Sequence, residues 1–212
     1  MSGDGLTAAI LVGGQSRRMG EDKALLTIEP GGVTVVESVV RALGAVTSEI
    51  VLVGSNTSAY AFLDLPRIAD AVPGAGPLGG IQAALTGTGS SHILVMACDM
   101  PFLSADLLRY MAGCPRDYDV LVPVLGQPQP LHAIYAQTCL PMIDQSLRAG
   151  QYKVTGWYEQ ANVRTIERAT LQRYDPDLRS CFNMNTPEDV AFARSERWEG
   201  ETKGRHSRDR IR

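Results

Sequence analysis

A three-layer α/β sandwich built on a mostly parallel sheet is the fold class that this sequence predicts, and three observations predict it. Short apolar runs rich in β-branched residues alternate with segments of helical periodicity along most of the 212 residues. That is the pattern of buried parallel strands joined by helices. The first apolar run, Leu6 to Val12, feeds directly into Gly13-Gly14, and open α/β sheets bind ligands where a strand meets such a turn. Hydrophobic residues make up 44% of the chain and charged residues 20%, values ordinary for a globular chain of this length with one sizeable core.

Each element follows from its own residues. Ala8 to Val12, Ile50 to Val53, Arg67 to Ala69 and Ile93 to Ala97 read as buried strands. Between the first two, Thr34 to Leu43 reads as a helix whose start is marked by Thr34 and Glu37, the spacing of a capping box. Leu78 to Leu85 follows a Pro/Gly turn as a second helix, and Ser104 to Met111 opens on a Ser cap as a third. Val120 to Val124 and Ala133 to Ala136 read as later strands around a Gly/Pro loop, of either direction. Leu140 to Leu147 is helical, with Pro141 tolerated in the first turn. Thr186 caps a last helix, with Pro187 at its first position and Glu188 and Asp189 in its first turn.

Residues 1–195 are expected to form a single domain, its amino-terminal half for one ligand and its carboxyl-terminal half for another. Residues 196–212 are expected to be a disordered basic tail. Lys203 to Arg212 carries five basic residues and one acidic, a net of +4 against −7 for the rest, with too little apolar surface to offset its ordering entropy. It lacks aromatic residues, so a solvated terminus is the better reading and no nucleic-acid partner is expected. No apolar run reaches membrane-spanning length, and Met1 to Gly5 is short and acidic for a secretory leader. Cys98, Cys114, Cys139 and Cys181 are scattered without a C-x-x-C pair, as reduced core thiols would be. A cytoplasmic protein without a membrane partner is therefore expected.

Chemistry concentrates in LVGGQSRRMGEDK, Leu11 to Lys23. Gly13 and Gly14 lack a Cβ and let backbone approach a phosphate, while Arg17, Arg18 and Lys23 bring three cations to the same loop. A polyphosphate is the ligand this loop suits. It is not a Walker A loop, since five residues separate Gly14 from Gly20 and Glu21 follows. Gly74 to Gly79 spells the dinucleotide fingerprint by letters, but Pro77 stiffens that turn and the match lies mid-chain.

The loop resembles the G-G-x-S-x-R-M-G-x-D-K motif of the molybdenum cofactor guanylyltransferases and, more widely, the molybdopterin-type nucleotidyltransferases. The resemblance extends through PGAGPLGGIQAAL (Pro73 to Leu85), ILVMACDMP (Ile93 to Pro101), QPLHAIY (Gln129 to Tyr135) and FNMNTPEDV (Phe182 to Val190), in the family's order. Val12 departs from it, standing where the family usually has alanine. The resemblance implies a Rossmann-like, GT-A-like nucleotidyltransferase fold and transfer of GMP from GTP to the phosphate of molybdopterin or its molybdenum form, releasing pyrophosphate. It implies GTP on the backbone of Leu11, Val12, Gly13 and Gly14, phosphate neutralisation by Arg18 and Lys23, and Mg²⁺ held by Asp99. Asp70 falls at the nucleoside contact, and Asn183 and Asn185 at the acceptor. Molybdoenzyme apoproteins and other cofactor-biosynthesis proteins are the further partners it implies.

Position alone leaves alternatives open. Asp99 ends an apolar run and reads equally well as a divalent-cation ligand or as a capping aspartate. Asp70 reads also as a plain strand-end residue, and Asn183 and Asn185 as turn residues before a helix, though residues two apart on an extended stretch share a face. Lys153 adds a cation to the same site or is simply exposed. A molybdopterin cytidylyltransferase or a sugar-phosphate nucleotidyltransferase are the alternative activities.

Overall fold

Strands β1 (Leu6–Leu11), β2 (Ile50–Val53), β3 (Arg67–Ile68) and β4 (His92–Ala97) run parallel in the order β3-β2-β1-β4 in the computed structural model. The structure describes residues 5–12, 22–28, 32–55, 57–70, 72 and 74–195. β1 lies in the middle because it is apolar on both faces. Ala8 and Ile10 enter one core layer and Ala9 the other. β4 divides the same way, Leu94 and Met96 to one side and Ile93 and Val95 to the other. Such strands read as continuous apolar runs because neither face meets water.

β5 (Val120–Leu125), β7 (His132–Ala136) and β8 (Val163–Ile166) extend the sheet beyond β4, and β6 (Gln127–Pro128) folds back on the end of β5. β7 is wedged antiparallel between β4 and β5, and β8 pairs parallel with β5. The sheet is thus mostly parallel with one reversed central strand, a direction that periodicity left open.

Helix α1 (Val35–Leu43) starts at the Thr34 cap: the Glu37 amide donates to Thr34 Oγ1, and the Thr34 amide donates to the Glu37 carboxylate. Ser104 caps α3 (Ala105–Gly113) through the Leu107 amide, and Pro141 sits in the first turn of α4 (Leu140–Arg148). α2 (Gly76–Thr88) and α4 pack together against the sheet face of Ile93, Val95 and Tyr135; α1, α3 and α5 (Arg168–Tyr174) cover the other. Residues 187–195 are helical, with Thr186 Oγ1 accepting from the Asp189 amide. Ile28, Val35, Met184, Val190 and Ala193 form a small third cluster that seats this helix.

Connection through α1 carries the chain from β1 outward to β2, and α2 returns it from β3 to β4 on the other side of β1. The chain therefore changes direction between β1 and β4. At such a switch point the flanking loops part and leave a crevice at the carboxyl ends of the strands.

Candidate functional site

A cavity of about 180 Å³ opens at that switch point. Leu11 and Val12 from the end of β1, Val53 and Gly54 from β2, Asp70 after β3, and Cys98 and Asp99 after β4 all line it. Its other wall is the start of α2, with Gly76, Pro77 and Gly80. A second cavity of about 280 Å³ adjoins it, lined by Met100, Gln129, His132, Asn183 and Asn185 among others. Ala97, Asp99 and Leu131 belong to both walls. Asp99 therefore stands on the boundary between two clefts.

Burial raises the Asp99 carboxyl above the ordinary carboxylate range, opposed by its own backbone amide and by the positive charge of Lys23. An ionised carboxylate in that place is poorly solvated and gains from a cation. Asp99 also fixes the second cleft through its backbone, because its carbonyl accepts from the Met184 amide at 3.0 Å. Met184 is fully buried, so its neighbours Asn183 and Asn185 are held at the cleft wall.

Lys23 opens a short 3-10 turn, Lys23–Leu25, capped by Asp22. Its Nζ donates to the Asn185 carbonyl at 2.7 Å, joining segments 162 residues apart. The loop lysine and the asparagine segment thus meet in space. Gly13, Gly14, Arg17 and Arg18 lie outside the described residues. Lys153 lines a third cavity of about 370 Å³ with Pro77, Gln127, Pro128, Pro130 and Leu131, next to the second cleft through Pro130 and Leu131.

His132 is completely buried, and burial pushes its imidazole down to about 4, partly offset by the Ser180 backbone and the Asp175 carboxylate. It is neutral at physiological pH. Among the described residues no group of three or more His, Cys, Asp or Glu could hold a metal, and none of their helices is long and apolar enough to cross a membrane.

Three glycines shape the first cleft in ways that sequence reasoning missed. A Cβ on Gly54 would stand 1.9 Å from the Val12 carbonyl oxygen, one on Gly79 2.8 Å from Asp70 Oδ1, and one on Gly80 3.1 Å from Leu11 Cδ2. Bare backbone is what lets β2 and α2 close on the end of β1. A glycine pair inside a helical pattern costs about 1 kcal/mol per residue relative to alanine, so Gly79-Gly80 within α2 was the available signal.

Comparison with known proteins agrees with this fold. Residues 8–165 match the MobA-like NTP transferase domain. The chain belongs to the MobA-like NTP transferase family. It is 41% identical over 189 residues to a protein of Pelotomaculum thermopropionicum described as a probable molybdenum cofactor guanylyltransferase, covering 89% of this chain and 91% of that one. A molybdenum cofactor guanylyltransferase of Desulfosudis oleivorans is 33% identical over 193 residues, covering 90% and 95%. The crystal structure of molybdopterin-guanine dinucleotide biosynthesis protein A from Archaeoglobus fulgidus superposes with a TM-score of 0.77 at 29% identity, covering 89% of this chain and 97% of that one. The chain is accordingly a nucleotidyltransferase of the α/β class that its sequence predicts.

Proposed function

We propose that this member of the family transfers GMP from GTP to the phosphate of molybdopterin, or of its molybdenum form, giving the guanine dinucleotide and pyrophosphate. One observation carries the reading: two clefts meet at Asp99, one walled by strand ends and α2, the other by Asn183 and Asn185. A transferase needs two substrates meeting at one point, and Asp99 marks that point. The guanine, rather than another base, rests on the names of the relatives.

In this reading GTP occupies the first cleft, on the backbone of Leu11, Val12, Gly13 and Gly14, with Asp70 toward the nucleoside. Lys23 and Arg18 draw charge from the triphosphate. The acceptor lies in the second cleft against Asn183 and Asn185, with Lys153 near its outer end. An acceptor phosphate oxygen forms a bond to the α-phosphorus while the bond to the bridging oxygen of the β-phosphate breaks, and pyrophosphate leaves with that electron pair. The attacking oxygen is already ionised at neutral pH, so no residue has to take a proton. Catalysis is then alignment plus electrostatic stabilisation.

Asp99 suits Mg²⁺ by its chemistry: it is a hard oxygen donor whose charged form burial disfavours, with Lys23 offsetting part of that cost. Beside Asp99, phosphate oxygens and water would supply further ligands, as Mg²⁺ favours. Bound there, the ion would neutralise charge developing on the phosphates. Cytoplasmic operation and delivery to molybdoenzyme apoproteins belong to the same proposal.

Pyrophosphate release from GTP and from CTP, each with and without molybdopterin, tests the reading. Release that needs both GTP and molybdopterin is expected. Equal or better turnover with CTP would move the assignment to a cytidylyltransferase, and turnover with sugar phosphates would abandon molybdopterin as acceptor.

A further inference from the structure

Asp22 precedes the phosphate-loop lysine, and its presence there is chemically odd. A carboxylate beside a cation meant for a polyanion repels the ligand that the cation attracts. The structure shows what occupies its charge. Asp22 Oδ1 accepts from the Ala24 amide at 3.1 Å, capping the Lys23–Leu25 turn. Its other oxygen accepts from the Tyr60 hydroxyl at 2.6 Å. Tyr60 lies 38 positions away in the short helical segment Ser58–Leu63, and it is 1% exposed, packed in the same core cluster as Ala24. The tyrosine is thus anchored by the core, and the aspartate is anchored by the tyrosine.

We propose that Tyr60 and Asp22 are a positioning pair that fixes the start of the Lys23 turn, and so the direction in which Lys23 leaves the backbone. Neither residue is assigned contact with substrate. The inference rests on reading Lys23 as a triphosphate ligand. Three features support it. A hydrogen bond between a phenol and an ionised carboxylate is stronger than one between neutral groups. Burial, followed by the Asp22 hydrogen bond, pushes the Tyr60 hydroxyl well above its ordinary value, so it remains a donor at any working pH. The same carboxylate that takes this bond also caps the turn, so loosening one loosens the other. From this starting point Lys23 reaches the Asn185 carbonyl at 2.7 Å, and a flexible side chain gains directional precision when its backbone is fixed.

Tyr60→Phe removes the hydroxyl and keeps the ring in the core. GTP binding at equilibrium should weaken about three- to ten-fold, with the melting temperature nearly kept. Asp22→Ala should weaken it at least as much, and Asp22→Asn, which retains an oxygen acceptor, should recover part of the loss. The deciding measurement is the double variant. In a Lys23→Ala background, Tyr60→Phe should cost nothing further, because a pair acting through Lys23 has nothing left to position. A loss of equal size with and without Lys23 would overturn the proposal, as would unchanged GTP binding by Tyr60→Phe. If Tyr60→Phe does not fold, Asp22→Ala measured in the two backgrounds separates the same two outcomes. Normal GTP binding by Lys23→Ala alone would instead bring down the triphosphate reading, and the pair with it.

Discussion

Gly54→Ala tests the shape of the first cleft without touching a charged group. The added Cβ would lie 1.9 Å from the Val12 carbonyl oxygen, where contacts below 3.0 Å essentially never occur. Relief therefore needs a displacement of about 1 Å, and the atom in the way is backbone rather than a side chain that could swing aside. That backbone is pinned, since the Val12 amide donates to the Val53 carbonyl at 2.9 Å and the Gly54 amide to the Ile68 carbonyl at 3.1 Å. Forcing extra volume into such a place costs about 1–3 kcal/mol, which in a chain of this size lowers the melting temperature by roughly 2–12 °C. Val12 and Gly54 both line the first cleft, and a shift of about 1 Å in substrate position can cost about 100-fold in rate. Thermal unfolding and GTP-dependent pyrophosphate release of the variant should show both losses. Gly113→Ala is the control, because nothing lies within 4 Å of a Cβ there; it should keep turnover and hold or slightly raise the melting temperature, since alanine is the better helix former. A Gly54→Ala protein with wild-type stability and turnover would refute the argument from close approach.

Three further predictions concern the charged and polar groups. Because burial raises the Asp99 carboxyl, its contribution to stability is full below the ordinary carboxylate value and is lost as pH rises through the raised one. Asp99→Asn should therefore melt no earlier than wild type at pH 7 without added metal, yet lose Mg²⁺-dependent turnover; early melting with intact metal dependence would make Asp99 a structural cap. Asn183→Ala and Asn185→Ala should weaken molybdopterin binding about ten- to a hundred-fold while GTP affinity stays within a few fold, since Lys23 holds the Asn185 backbone carbonyl, which the substitution retains. Equal weakening of both ligands by equilibrium binding would remove these residues from the acceptor site. Burial pushes His132 down to about 4 from an ordinary 6.5, so the unfolded chain binds the extra proton first. Stability should be full above about pH 6.5 and fall by up to about 3 kcal/mol as pH drops to 4; urea unfolding against pH should lose this slope in His132→Gln, and an identical slope would assign it to other groups.

Local chemistry was legible in the sequence wherever a single segment contained it. Thr34 and Glu37 carry both halves of a capping box within four residues, and they cap α1 as read. The run Ile50 to Val53 is apolar enough on both faces to be β2 from end to end. The edge strand β8 was missed because Arg164 and Thr165 in its middle are exposed and interrupt any apolar pattern. The seven-residue α5 buries only Leu171 and so leaves almost no periodicity to detect. Asp99, Asn183 and Asn185 are named from ordered sequence blocks and Asp70 from its place at a strand end before the Pro/Gly loop, but their grouping is a tertiary fact. So are the approach of Gly54 to Val12 and the bond between Tyr60 and Asp22, each joining segments with no pattern in common. Arg17 and Arg18, singled out from the sequence, lie outside the described residues.

The direction of β7 explains why a second cleft adjoins the first at Asp99. In a parallel strand, the loop that follows it stands at the carboxyl edge, as Asp99 does after β4. β7 runs the other way beside β4, with His132 paired to Met96, so the loop that precedes it reaches that edge instead. Gln129, Pro130 and Leu131 are therefore placed next to Asp99 and build the wall of the second cleft. Asn183 and Asn185 line the same cleft, tied by the bond from the Met184 amide to the Asp99 carbonyl. Reversing one strand thus puts a second set of side chains against the same carboxylate that the parallel half presents. In the proposed reading, the two substrates would then approach one another beside Asp99, from opposite clefts.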